Sequence, residues 1–319
     1  MRKFFLAVFM LILGATLPFT ATAKTSGKVL FIDAYHEGYE WSDGITAGVK
    51  KGLQGAEVEL KIVRMDTKRN PDEEFKKKAG QAVKKEIDAF KPAVVISADD
   101  NPAIYVIVPY YKDSAIPFVF CGINWDASIY GFPCKNVTGM LEVTPVPQLL
   151  SQLKPFAKGK RVGKIGPDNE TNRKESENYR KHFDFSLVDY FAKDVEDWKK
   201  GFLEIQEKVD ILILDSDGGL YKDKAEELRA FVEANTKIPT GSSYDFMAPF
   251  AMINFAKVAE EQGFWAAQTA IQILNGKAPS TIPMTQNKEG KLIINTRIAR
   301  SIGAKIPYEV LGLADKVIK

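Results

Sequence analysis

Side chains that commonly carry catalysis are scarce in this chain. His36 and His182 are its only histidines and Cys121 and Cys134 its only cysteines, so a His/Cys zinc site has nothing to be built from. The stretch Asp215-Ser216-Asp217-Gly218-Gly219 opens like a calcium loop, but the later ligands of an EF-hand do not follow. No metal is expected. The signatures G-x-x-x-x-G-K-[ST], G-x-G-x-x-G after the first strand, H-E-x-x-H and G-x-S-x-G are missing. His182 ends a charged stretch, where it suits the negative end of a helix dipole. Without a nucleophile and base within reach of each other, the reading is a non-enzyme with no cofactor.

What the sequence does offer is polar and aromatic residues directly after apolar runs. Tyr35, His36 and Trp41 follow the first run, Asp99, Asp100 and Asn101 the third, and Asn124 and Trp125 the fourth. Further along, Asp168, Asn169 and Glu170, then Asp215, Ser216 and Asp217, then Ser243 and Tyr244 hold the same relative place. Ligands of open α/β sheets bind beyond the carboxyl ends of the strands, so these segments converge if two such units face each other. Turn and capping roles account for the same residue types, and both readings stand at this point. The rings of Tyr35, Trp41, Trp125 and Tyr244 offer stacking faces, and the carboxylates make the site acidic. That combination suits an amine-bearing or hydroxyl-rich small molecule better than a phosphate or a dicarboxylate. An amino acid or related amine is the favoured ligand.

The elements that would position these residues alternate. Val29 to Ala34, Val58 to Arg64, Ala93 to Ser97 and Ile116 to Cys121 read as strands. Between them, Ser42 to Leu53, Pro71 to Phe90 and Ala103 to Tyr111 read as helices, the last opened by Asn101 as N-cap and Pro102. Gly44, Gly48 and Gly52 share one narrow helix face, which predicts close approach to the sheet. The order restarts after Asn136 to Val143, with strands at Arg161 to Ile165, Phe185 to Phe191 and Val209 to Leu214. Helices at Pro147 to Phe156, Asn172 to His182, Val195 to Lys208 and Lys222 to Asn235 accompany them. The fold class is α/β, with two open parallel-sheet units covered on both faces.

At the amino terminus Arg2 and Lys3 precede an apolar run from Phe4 to Leu13, and Ala21-Thr22-Ala23 supplies small residues before Lys24. This is the pattern of a secretory signal peptide over residues 1–23. Gly14 and Pro18 interrupt the uncharged span and weigh against a retained membrane anchor. No cysteine lies at the cleavage point, so a free periplasmic protein is expected rather than a lipid-anchored one. An oxidising compartment permits a bridge between Cys121 and Cys134; two buried thiols are the alternative. The 319 residues suggest two domains, and 44 Lys and Arg against 41 Asp and Glu give no argument for a nucleic-acid partner, which is not expected.

Three stretches carry a resemblance to a known family. Val29 to Asp43, Ile116 to Phe120 with Asn136 to Gly139, and Ile293 to Ala299 with Gly303, Ile306-Pro307 and Ala314 to Ile318 resemble periplasmic substrate-binding proteins of ABC transporters, in the branch with tryptophan- and tyrosine-binding members. The resemblance covers nearly the whole length. It implies a type 1 periplasmic binding fold, two lobes joined by hinge crossovers, with a ligand trapped between them and presented to an inner-membrane permease. The implied division is residues 24–123 with about 253–283 for the first lobe and 124–252 with about 284–319 for the second, in a monomer. The family's Asp-Pro after the fourth strand is replaced by Asn124-Trp125-Asp126-Ala127, which leaves its amino-acid ligands open for this chain. A sensor input to a membrane kinase is the rival role, since it too needs only a closing cleft.

Overall fold

Two sheets form from two sets of apolar runs. The structure, a computed structural model, describes residues 25–221 and 223–319, so the signal read over residues 1–23 lies outside the described residues. Ser26–Asp33 (β1), Glu57–Arg64 (β2), Val94–Ala98 (β3), Phe118–Asn124 (β4) and Val137–Glu142 (β5) pair in parallel. Val29 to Ile32 and Val94 to Ile96 are completely buried, as continuous apolar runs must be when helices cover both faces. The covering helices are Glu40–Gly52 (α1), Glu73–Phe90 (α2) and Asp100–Pro102 (α3), the last continuing as a π-helix over Ala103–Tyr111. Its closing hydrogen bond, Lys112 N to Ile107 O at 2.7 Å, spans five residues.

The second sheet begins after Val146–Leu153 (α4). It contains Val162–Pro167 (β6), Leu187–Ala192 (β7), Ile211–Leu214 (β8), Thr240–Ser242 (β9) and Ile253–Lys257 (β10), interleaved with Glu170–His182 (α5), Val195–Ile205 (α6) and Ala225–Asn235 (α7). Asn169 and Asp194 cap α5 and α6, accepting from Asn172 N at 2.9 Å and Asp197 N at 2.8 Å. The chain then returns to the first lobe with Ala259–Leu274 (α8) and Thr285–Gln286 (β11), which pairs with β5. It crosses once more for Gly290–Asn295 (β12), antiparallel to β10, Thr296–Ser301 (α9), Tyr308–Gly312 (α10) and Lys316–Ile318 (β13). The strand orders are 2-1-3-4-5-11 and 7-6-8-9-10-12-13.

Sheet membership moves the expected lobe boundaries. β5 belongs to the first sheet because its apolar residues need β4 beside them, so the first crossover follows Glu142 rather than residue 123. β10 pairs with β9 and β12, so the second crossover follows Lys257 rather than residue 252. The third follows Gln286 rather than residue 283. Asn101 is not the N-cap expected of it: the helix starts at Asp100, and Asn101 Nδ2 donates instead to Thr67 Oγ1 at 2.7 Å. The glycine face of α1 meets α8, not the sheet. A Cβ on Gly48 would lie 2.2 Å from Glu260 O, and one on Gly263 2.0 Å from Ile45 O, so backbone touches backbone there.

The cysteines are free thiols. Cys121 points into the layer between the first sheet and α8, with Ile45 and Ala266. Cys134 packs on the opposite face of the same sheet, against the cluster of Phe118 and Phe120. The two side chains lie on opposite faces of the sheet and are not bridged.

Candidate functional site

The carboxyl ends of both sheets open on one cleft of about 750 Å³, lined from both lobes. The loop after β1 supplies Tyr35, Tyr39 and, at the start of α1, Trp41; Asp99 follows β3, and β5 supplies Glu142. The opposite wall carries Thr171 and Glu175 of α5, Ser216 after β8, Ser243 and Tyr244 after β9, and Lys257 at the end of β10.

Asp99 is the most constrained of these groups. Its backbone is left-handed, with φ of 65°, a conformation that costs a non-glycine residue energy and recurs at functional sites. Its amide donates to Cys121 O at 2.8 Å, and its Oδ1 accepts from Trp41 Nε1 at 3.2 Å. The residue is only 3% exposed and its Oδ2 has no hydrogen-bond partner. Burial, with Glu142, Asp100 and Asp33 nearby, pushes its carboxyl well above the usual range. Asp99 in turn raises the neighbouring Tyr35 hydroxyl.

The floor of the cleft is ionic. Lys257 Nζ pairs with Glu142 Oε1, and both side chains are about nine-tenths buried. The ammonium lies 5.8 Å from the Trp41 ring centroid and 5.3 Å from that of Tyr244, within cation–π range of both. Burial opposes the charge on Lys257, but Glu142, Glu175 and Asp215 outweigh it and raise the pKa above its ordinary value. Glu175 accepts from Trp125 Nε1 at 3.1 Å and Thr144 Oγ1 at 3.3 Å, and burial raises its pKa too. Two crossovers are laced together beside this pair: Val143 N donates to Asn287 Oδ1 at 2.7 Å.

A cleft between two α/β lobes, closed at its base by three crossovers, can hold a small molecule and release it by hinge motion. A family profile for ABC transporter substrate-binding proteins matches residues 39–318. This chain belongs to that family. Among solved structures it is similar to the ligand-free, open form of a substrate-binding protein with adhesive properties from Clostridium difficile. There the identity is 18% and the TM-score 0.71, over 92% of this chain and 99% of that one. It is also similar to an ABC domain in complex with L-Trp from Streptococcus pneumonia, at 19% identity and TM-score 0.59, over 93% and 100% of the two chains. A conserved domain protein from Vibrio cholerae matches at 21% identity and TM-score 0.58, over 92% and 100%. These likenesses establish the type 1 periplasmic binding fold. No curated protein matches significantly.

In this substrate-binding protein the expected site residues divide. Tyr35, Trp41, Asp99, Asn124, Ser216, Ser243 and Tyr244 line the cleft. Asp100 is a support: it accepts from Asn124 Nδ2 at 2.9 Å and Tyr130 OH at 2.8 Å. Trp125 stands behind the wall, touching the site only through Glu175. Asn101 is tied to Thr67, and His36 Nδ1 lies 2.8 Å from Glu37 O. Asp168 pairs with Arg173 and Glu170 with Lys174, while Asn169 caps α5. Asp215 is 2% exposed and paired at 2.5 Å with the equally buried Lys164, which also donates to Asn172 O at 2.9 Å and Ser176 Oγ at 3.0 Å. Asp217 closes a turn, its Oδ1 accepting from Gly219 N at 3.2 Å, and does not line the cleft.

Charged or aromatic lining residues that the sequence reading does not select include Glu142, Glu175, Lys257 and Phe246. Glu142 and Lys257 each stand at the last position of a strand entering a crossover, the one signal in the sequence that could have selected them.

Proposed function

We propose that this substrate-binding protein captures a small amine, with amino acids favoured, and delivers it to an ABC import permease after export to the periplasm. The observation that carries the reading is the composition of the cleft: Asp99, Glu142 and Glu175 contribute three buried carboxyls against one buried cation among the lining residues, Lys257, which lies between the rings of Trp41 and Tyr244. A carboxyl without a matching cation attracts an ammonium, and flat rings stack on apolar or aromatic side chains. Residues contributed by both lobes favour ligand bound to the closed form, so binding shifts the hinge equilibrium by the difference in affinity between the two forms. The L-Trp held by the Streptococcus pneumonia domain is consistent with this class of ligand.

The test is a thermal-shift panel of amino acids, polyamines, choline, sugars and dicarboxylates on purified protein. A ligand at 100 times its dissociation constant adds about 2.7 kcal/mol to stability. Amines or amino acids alone should shift the transition. Stabilisation only by sugars or dicarboxylates refutes the reading. Mass spectrometry of the exported protein should find a mature chain beginning at Lys24, and an intact Met1 in the membrane fraction would refute export as a free protein.

A further inference from the structure

Lys164 breaks the pattern of its strand. It lies in the middle of β6 among Val162, Gly163, Ile165, Gly166 and Pro167, with β7 on one side, β8 on the other and α5 across its face, and its side chain is completely buried. A strand covered in this way ordinarily carries apolar residues, and a local exception of this kind marks a place where something other than folding is served. The register decides which partners it meets. Lys164 pairs with Asp189 of β7 and Ile213 of β8, and Asp215 stands two residues beyond Ile213, so both carboxylates share its face of the sheet. The ammonium pairs with Asp215 at 2.5 Å and donates to Asn172 O at 2.9 Å and Ser176 Oγ at 3.0 Å. Ser176 passes its own hydrogen to Asp189 Oδ1 at 2.8 Å, and Asp189 is held in turn by Arg180.

Each group held directly by this ammonium is the chain neighbour of a residue in the cleft wall. Asn172 follows Thr171, Ser176 follows Glu175, and Asp215 precedes Ser216, whose amide donates to Asp215 Oδ1 at 2.7 Å. Thr171 and Glu175 come from α5 and Ser216 from the loop after β8, so one buried atom registers two separate elements against each other. Lys164 itself stands behind the wall and does not line the cleft.

We infer that Lys164 is a positioning residue for binding, which sets the places of Thr171, Glu175 and Ser216 and serves their placement rather than the stability of the lobe. A buried ion pair loses in desolvation much of what it gains in attraction, so neutral residues of similar volume commonly fold as well. What they lack is direction: three N–H donors on one nitrogen demand acceptors at fixed angles, whereas an apolar side chain accepts any neighbour of the right size. The inference rests on the cleft being the binding site and not on its taking an amine.

The experiment uses Lys164→Met/Asp215→Asn, which removes both charges together and leaves neither stranded; Met suits the slot between the rings of Tyr179 and Phe191, 5.9 and 5.5 Å from the ammonium. The melting temperature should stay within about 3 °C of the natural protein's. Amide exchange read by mass spectrometry should quicken over residues 170–176 and 215–217 and stay unchanged over α6. Calorimetry with whichever compound of the thermal-shift panel stabilises the natural protein most, amine or not, should show at least about tenfold weaker binding, the loss expected when the wall holds its productive place a tenth of the time. A smaller loss of affinity overturns the inference, and so does a lowered melting temperature with faster exchange throughout the second lobe, the mark of a pair that only supports the fold. If no panel compound binds, the amine reading fails by its own test and the exchange pattern alone decides this one. Should the double variant fail to fold by near-UV circular dichroism, Ser176→Ala keeps the ion pair and cuts the tie beside Glu175; faster exchange over residues 170–176 supports the role of Lys164, and unchanged exchange overturns it.

Discussion

Trp125 issues from the first sheet yet buries its indole in the second lobe, donating from Nε1 to Glu175 Oε1 at 3.1 Å. Its ring stacks on His182 at 5.3 Å and meets the edge of Phe183 at 5.8 Å. The neighbouring Asp126 reaches Lys181 at 3.7 Å. One loop thus fastens the first lobe to α5, whose Glu175 faces the cleft.

Trp125→Ala should therefore destabilise the protein by about 3–5 kcal/mol, the usual cost of emptying a large aromatic site. Trp125→Phe keeps much of the packing but leaves Glu175 one donor short, for about 1–2 kcal/mol. Chemical denaturation measures both, and an unchanged midpoint for the alanine variant would show that the loop does not bind the lobes together.

Trp41→Ala should weaken ligand binding by roughly 1–3 kcal/mol, since the ring and its N–H both serve the cleft. Asp100→Ala acts differently, because Asp100 contacts Asn124 and Tyr130 rather than the cavity. Its main effect should be on stability, about 1 kcal/mol. Calorimetry alongside thermal melts separates them; equal loss of affinity in both variants would place Asp100 in the site.

The raised Asp99 carboxyl gives a pH signature. A carboxyl whose folded pKa lies above its unfolded value stabilises the fold below the unfolded value, and that contribution is lost as pH rises through the folded value. Asp99→Asn removes the charge that burial, Glu142, Asp100 and Asp33 disfavour. At neutral pH the ligand-free variant should melt higher, by about 2 °C for each 1 kcal/mol gained. A ligand ammonium favours the ionised form, so binding to the natural protein should release protons and weaken as pH falls. A variant that melts lower at neutral pH, or affinity independent of pH, would contradict the assignment.

The thiols of Cys121 and Cys134 should both react when unreduced protein is denatured and alkylated. In the folded protein Cys134 should label first, since Cys121 is fully buried and its thiol is pushed up by burial and by Asp99. A single cross-linked species lacking both labels would overturn the packing of the first sheet.

The sequence alone determined the alternation of strands and helices, because apolar runs of strand length and capped amphipathic stretches are local signals. It also determined that polar residues follow the strands, and so included Trp41, Asp99 and Tyr244. It could not assign strands to sheets: β5, β10 and β11 join partners chosen by the fit of whole lobes, and the crossovers follow from those pairings. Nor could it sort the acidic residues. Asp99 and Asp215 look alike in sequence, but Asp215 meets Lys164 from a neighbouring strand while Asp99 keeps an unpartnered oxygen in the cleft. Glu142 and Lys257, 115 residues apart, become a pair only when two strands from different sheets end at the same hinge. Contacts of that range are created by packing, which no local pattern encodes.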